Sequence, residues 1–79
     1  MHYVYILENK ERDFHYVGIT ENLQRRIMEH RDGKTPTTKG YLPLELVWYC
    51  AFPTKYQAAR FEAYLKSGSG RAFSTRHIL

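Results

Sequence analysis

Tyr3-Val4-Tyr5-Ile6-Leu7 and Phe14-His15-Tyr16-Val17-Gly18-Ile19 are two short runs of β-branched and aromatic residues, separated by Glu8-Asn9-Lys10-Glu11-Arg12-Asp13. Six polar residues of loop chemistry between two such runs predict an antiparallel hairpin. Tyr3 and Tyr5, two apart, point to the same face of that hairpin. Gly18, near the end of the second strand, predicts a bulge or a place where something approaches the backbone closely.

Downstream of the hairpin, Thr20 or Asn22 is a suitable cap for a helix running to about Arg31, with Gly33 as its stop. At roughly 100° per residue, Leu23, Ile27 and His30 share one face of this helix and Arg26 borders it. Residues 33–40 hold two lysines and no large apolar side chain, as expected of a loop. Leu44-Glu45-Leu46-Val47-Trp48-Tyr49-Cys50-Ala51-Phe52 is nearly continuous in apolar character, which predicts a strand buried on both sides. Thr54-Lys55-Tyr56-Gln57 is a capping box that opens a second helix with the inward stripe Ala58, Phe61, Glu62 and Leu65. Ser67-Gly68-Ser69-Gly70 breaks that helix, and Ser69 is placed to cap a last short helix carrying Phe73. The order is β-β-α-β-α-α. Its simplest realisation is an α+β domain spanning 1–79, a three-stranded antiparallel sheet flanked by helices.

A chain of 79 residues supports one small domain with a thin core. Seven Tyr, four Phe and one Trp are expected to supply much of the mass of that core. A single cysteine excludes an internal disulfide framework. Lying inside the apolar run, Cys50 is expected to be an inert core thiol. Met1–Leu7 is too short for a signal segment, and no apolar run approaches the roughly 20 residues of a membrane span. A cytoplasmic, reducing location with no membrane partner is the resulting expectation. The formal net charge is +4, and the surplus lies in residues 55–79, where Lys55, Arg60, Lys66, Arg71 and Arg76 face only Glu62. That imbalance suits either a solvated basic face or a phosphate-backbone partner.

Three groups of residues fit packing poorly. Glu62 places a carboxylate on an apolar stripe, where burial is costly. It is either an ion-pair partner, of Lys66 at i+4 or of an arginine on another element, or an oxygen ligand for a hard cation. Arg26 and His30 lie four apart along the edge of their helix's apolar stripe. They are either a snorkelling arginine and a half-buried cap, or a fixed guanidinium beside an imidazole that accepts a proton near neutral pH. The hairpin tyrosines are the third group, each explicable as packing. No zinc spacing, phosphate-binding loop, dinucleotide fingerprint or hydrolytic triad is present.

Taken in order, Tyr3-Val4-Tyr5, Tyr16-Val17-Gly18, Asn22-Leu23-x-x-Arg26, His30 and Ala58-x-x-x-Glu62-x-x-x-Lys66 resemble the GIY-YIG nuclease module over the whole chain. Tyr41-x-Pro43-x-Glu45-Leu46-Val47 and Leu65-Lys66-Ser67-Gly68-Ser69-Gly70-Arg71 look like signatures of its small stand-alone members. Those members are similar to the nuclease half of the bacterial excision-repair incision subunit. The resemblance implies Mg²⁺-dependent phosphodiester cleavage, with Mn²⁺ as a substitute metal and no small-molecule cofactor. DNA is the implied substrate, in structure-selective repair or recombination.

By position, the resemblance makes Tyr5, Tyr16, Arg26, His30 and Glu62 the catalytic set, with Glu62 the metal carboxylate. Arg26 would fix positive charge where oxygen charge develops, and Tyr16 would orient the attacking water or a phosphate oxygen. His30, assisted by Tyr5, would take the proton from that water. Gly18, Lys34, Lys39, Lys66 and Arg71 are the expected nucleic-acid contacts. The chain departs from the pattern in beginning the first half-motif with Tyr3 instead of glycine and in carrying Ile19 where some members have lysine. The asparagine that many members have near the C-terminus lacks a counterpart in residues 71–79. Family members usually carry a second, target-selecting domain. Specificity here is expected from DNA shape, a targeting protein partner or an oligomer. The alternatives are a nucleic-acid-binding module without turnover and a small adaptor that docks on another protein.

Overall fold

A computed structural model describes residues 1–68. The hairpin forms as the sequence predicts, from β1 (His2–Asn9) and β2 (Phe14–Thr20), joined by a 3₁₀ turn over Lys10–Arg12. Asn9 caps that turn by accepting the Arg12 N–H (3.2 Å), and Asp13 takes the left-handed conformation (φ 49°) that turns the chain into β2. Helix α1 (Leu23–Arg31) is capped by Asn22, whose side chain accepts the Arg25 N–H at 3.0 Å. Thr20 instead braces the turn before it, accepting the Asn22 N–H at 3.1 Å. Gly33, at φ +72°, lets the Lys34 N–H return to the Glu29 carbonyl (3.0 Å) and ends the helix. A second 3₁₀ turn, Lys39–Tyr41, leads into β3 (Glu45–Phe52), and α2 (Lys55–Lys66) starts at Thr54 through an Oγ1 bond to the Gln57 N–H. The class is α+β, and these five elements come in the expected order. The expected last helix, with Ser69 and Phe73, lies outside the described residues.

Strand order is β2-β1-β3, antiparallel throughout. β1 is therefore the central strand, and Val4, Tyr5, Ile6 and Leu7 are buried one after another. A lone hairpin is marginal in water. Here alternation along β1 feeds two cores, one on each face of the sheet. Val4 and Ile6 meet Ala58 and Leu65 of α2, with Trp48, Phe52 and Phe61 packed around them. Tyr5 and Leu7 meet Ile27 of α1 and Leu44, with Tyr16 and Leu23 alongside.

Three expectations are corrected. The apolar 44–52 run forms an edge strand, not one buried on both sides, and Tyr49 is exposed. Val47, Trp48 and Phe52 pack into the core under α2 and Leu46 joins the core on the other face, while Tyr49 and Ala51 are left exposed. Cys50 is accordingly half-buried and not a core thiol. The aromatics do not form the bulk of the core either. Among the described residues Tyr5 is the one aromatic fully buried, while Tyr41, Tyr49, Tyr56 and Tyr64 are exposed. The fully buried positions go mostly to aliphatic side chains of β1 and the two helices, and Phe14, Tyr16, Trp48, Phe52 and Phe61 pack around them half-buried.

Candidate active site

Tyr5 and Tyr16 leave the sheet on the face covered by α1. Arg26 and His30, one turn apart on that helix, come down onto them. Tyr5 Oη lies 2.8 Å from His30 Nε2, and His30 Nδ1 lies 2.7 Å from Thr38 Oγ1. The three rings form a compact group, with Tyr16 and His30 centroids 5.2 Å apart and Tyr5 5.7 Å from His30. Arg26 is half-buried beside them and donates to Glu29 Oε1 at 3.1 Å. Tyr5 is 1% exposed and His30 is fully buried.

His30 therefore does not sit at the edge of an apolar stripe as a half-buried cap. It is a core residue whose two ring nitrogens are both engaged by protein groups. The segment after Gly33, polar in composition, folds back beneath the helix and closes that side. It is pinned to the hairpin by stacking of Phe14 on Tyr41 (3.8 Å, 7° between planes) and by the bond from Asn9 Nδ2 to the Tyr41 carbonyl (2.7 Å). A third tie runs from Arg12 to the Gly40 carbonyl (2.8 Å).

Burial sets the electrostatics. It pushes the Tyr5 phenol up to about 12, against the pull of the nearby Arg26 guanidinium and with further upward pushes from Tyr16 and the Glu62 charge. It also lowers the His30 pKa, with the nearby Arg26 charge acting in the same direction and Glu29 opposing. The Arg26 pKa is raised, first by its bond to Glu29. At neutral pH the site thus holds a protonated phenol, a neutral imidazole and a guanidinium cation.

Gly18 is the cross-strand partner of Tyr5. What approaches its backbone is the Tyr5 ring, since a Cβ at this position would overlap Tyr5 Cζ and Oη and stand 2.9 Å from Tyr16 Cε2. Pairing with β1 is regular through Gly18. The irregularity in the sheet lies instead between β1 and β3, at Ile6/Leu7. Glu62 stands on α2, in the layer covering the opposite face, yet its charge reaches the Tyr5 phenol. Its side chain is 21% exposed and paired with Lys66 at 3.3 Å, the i,i+4 partner anticipated from the sequence. Among the described residues no three His, Cys, Asp or Glu side chains are grouped to hold a metal. A single accessible carboxylate does fit a hard cation of the Mg²⁺ type, which uses one or two carboxylates and completes its shell with water and phosphate oxygens.

The structure thus brings Tyr5, Tyr16, Arg26 and His30 together, with Glu62 within electrostatic reach. Lys34 and Lys39 are exposed on the segment that carries Thr38, and Lys66 is engaged with Glu62. Arg71 lies outside the described residues. Sequence reasoning missed Thr38 and Glu29. The first lay hidden in a threonine-rich loop, whereas the i,i+3 spacing of Arg26 and Glu29 was an available signal. Among the described residues no helix is long and apolar enough to cross a membrane.

The profile of the GIY-YIG catalytic domain matches residues 1–76. UPF0213 protein BH0048 of Halalkalibacterium halodurans is 45% identical over 71 residues, covering 89% of this chain and 74% of that protein. UPF0213 proteins of Vibrio campbellii and Clostridium perfringens are 39% and 40% identical, and the matches cover 61% and 71% of their lengths. The solution NMR structure of the UPF0213 protein BH0048 from Bacillus halodurans superposes with a TM-score of 0.57 at 42% identity, covering 95% of this chain and 80% of that one. These likenesses support a nuclease-type function with DNA as the partner. With the family profile covering nearly the whole sequence, this chain belongs to the GIY-YIG family.

Proposed function

We propose that the chain is a metal-dependent endonuclease that hydrolyses DNA phosphodiester bonds, with selectivity for branched, flapped or nicked structures in repair or recombination. The observation that carries this reading is the direct Tyr5 Oη–His30 Nε2 contact beside Arg26 and Tyr16 on one face. Glu62 would hold Mg²⁺ or Mn²⁺. The cation, when bound, supplies positive charge to the scissile phosphate and the leaving oxygen.

Arg26 and Tyr16 form the accessible rim. The guanidinium turns from Glu29 to a non-bridging phosphate oxygen, where it offsets the charge that builds in the transition state. That movement opens Tyr5 Oη to the attacking water, which Tyr16 orients. With its pKa near 12, Tyr5 is no free base. It accepts the water proton only as its own proton passes to His30 Nε2, so one proton enters the pair and one moves on within it. His30, fully buried, therefore acts on water through Tyr5 and not directly. This replaces the simpler expectation of His30 as the contacting base. Lys34, Lys39, Lys66 and Arg71 would hold the flanking phosphates. A targeting protein partner would supply further selectivity.

A second reading, a binding module without turnover, draws on one observation. Both Arg26 and Glu62 are neutralised within their own helices, by Glu29 and Lys66. Glu62→Gln separates the two. The nuclease reading expects Mg²⁺-induced amide shifts centred on Glu62 that vanish in the variant. It also expects complete loss of cleavage with the fold retained. DNA binding that survives both Glu62→Gln and chelation, with no cutting of nicked, flapped, branched or single-stranded DNA by the wild type, would establish the module instead.

A further inference from the structure

The imidazole of His30 bonds Tyr5 on one side and Thr38 on the other. A neutral imidazole has one N–H and one acceptor nitrogen, so its tautomer fixes the direction of both bonds. Tyr5 decides which. Its buried O–H needs an acceptor; His30 Nε2 stands at hydrogen-bond distance, and the neighbouring Arg26 guanidinium offers donors only. Thr38 carries a hydroxyl hydrogen as well, but the phenol is the more acidic and stronger donor of the two, so Tyr5 donates to Nε2 and Thr38 accepts. The imidazole hydrogen is then on Nδ1, and Thr38 Oγ1 accepts it at 2.7 Å. The reverse tautomer would set the buried phenolic hydrogen against the imidazole N–H, with the guanidinium beside it also a donor.

Thr38 is built for this place. It is 0% exposed, its N–H bonds the Thr35 carbonyl (3.1 Å), and its carbonyl accepts the Tyr41 N–H (2.9 Å). Tyr41 is in turn stacked on Phe14 of β2. The hydroxyl is thus held from the hairpin and not from the helix that carries His30.

We infer that Thr38 is the positioning residue of the Tyr5–His30 pair: by accepting Nδ1–H it locks the imidazole in the tautomer whose Nε2 takes the Tyr5 proton. The catalytic consequence rests on the nuclease reading, while the tautomer does not. Passage of the proton to Nε2 gives an imidazolium with its two N–H groups directed at the Tyr5 and Thr38 oxygens. Loss of the Thr38 acceptor leaves Nδ1–H buried without a partner, which favours the tautomer that blocks the relay.

The test is two-bond ¹⁵N correlation NMR of the His30 ring at neutral pH in wild type, Thr38→Val and Thr38→Ser. It is paired with single-turnover cleavage of a branched DNA at saturating enzyme. The expected wild-type pattern is a protonated Nδ1 and an unprotonated Nε2, kept in Thr38→Ser and lost or mixed in Thr38→Val. The cleavage rate should fall about 10- to 100-fold in Thr38→Val, the usual cost of losing such an orienting partner, with DNA affinity unchanged. Thr38→Ser should recover most of the rate. A wild-type ring protonated on Nε2, or a Thr38→Val ring with the wild-type pattern, overturns the assignment. So does a Thr38→Ser variant as slow as Thr38→Val. If the tautomers behave as expected and wild type cleaves no DNA, the Thr38 placement stands and the nuclease reading falls.

Discussion

Gly18→Ala is expected to lower the free energy of unfolding by about 1–3 kcal/mol, the range for inserting a methyl into a packed site. It should also disconnect Tyr5 from His30. The new Cβ would overlap the Tyr5 ring end. A flexible, exposed side chain would simply move away. Tyr5 is 1% exposed and hydrogen-bonded at 2.8 Å to a histidine that is itself fully buried, so its displacement breaks that bond or bends the sheet. The Cβ would also stand 2.9 Å from Tyr16 Cε2, which closes the other escape.

Chemical denaturation of Gly18→Ala alone and combined with Tyr5→Leu isolates the cause. If the clash is with the ring, the alanine costs little once the ring is gone, and the two substitutions are non-additive. Equal costs of the alanine in both backgrounds would place the problem in β2 itself. A Gly18→Ala protein of wild-type stability with the His30 ring signals unmoved would refute the close packing. For the nuclease reading, the same variant should lose cleavage while keeping DNA affinity, because the residue acts through Tyr5.

The parts of this architecture that local chemistry dictates were legible in the sequence. The polar hexad between two β-branched runs announced the hairpin, and Asn22 and Gly33 bracketed α1. Glu62 stood out because a carboxylate on an apolar stripe needs a reason, and its partner Lys66 was named from i,i+4 spacing alone. What was not legible depends on contacts between distant segments. Nothing in Leu44–Phe52 distinguishes a partly exposed edge strand from a central one, and only the order β2-β1-β3 decides it. Thr38 looks like any loop threonine until Phe14 and Tyr41, 27 positions apart, stack and carry it beneath His30. The depth of His30 was missed for the same reason. A helical wheel gives its bearing, and the segment that seals it lies beyond the helix.

Raising the pH from 10 to 12 is expected to remove about 2–3 kcal/mol of stability that Tyr5→Phe does not lose over the same range. The phenol is held near 12 in the folded chain against an ordinary value of 10.0, chiefly by burial. The unfolded chain therefore releases this proton from pH 10 upward, while the folded chain retains it until about 12. The stabilising contribution is complete below pH 10 and lost as the pH rises through 12. At pH 8 Tyr5→Phe should be the less stable protein, having lost the hydroxyl's bond to His30. The gap should then close as the pH rises, since phenylalanine does not titrate. Subtracting the two curves cancels the other tyrosines and the lysines. On the acid side His30 acts with the opposite sign. Its pKa is lowered by burial and by Arg26, so its contribution is complete above pH 6.5 and lost as the pH falls below it. The histidine loss should be present in Tyr5→Phe and the tyrosine loss absent from it, which assigns each limb to one ring. A wild-type minus Tyr5→Phe difference that stays flat from pH 10 to 12 would mean that Tyr5 is not the buried proton donor of the pair.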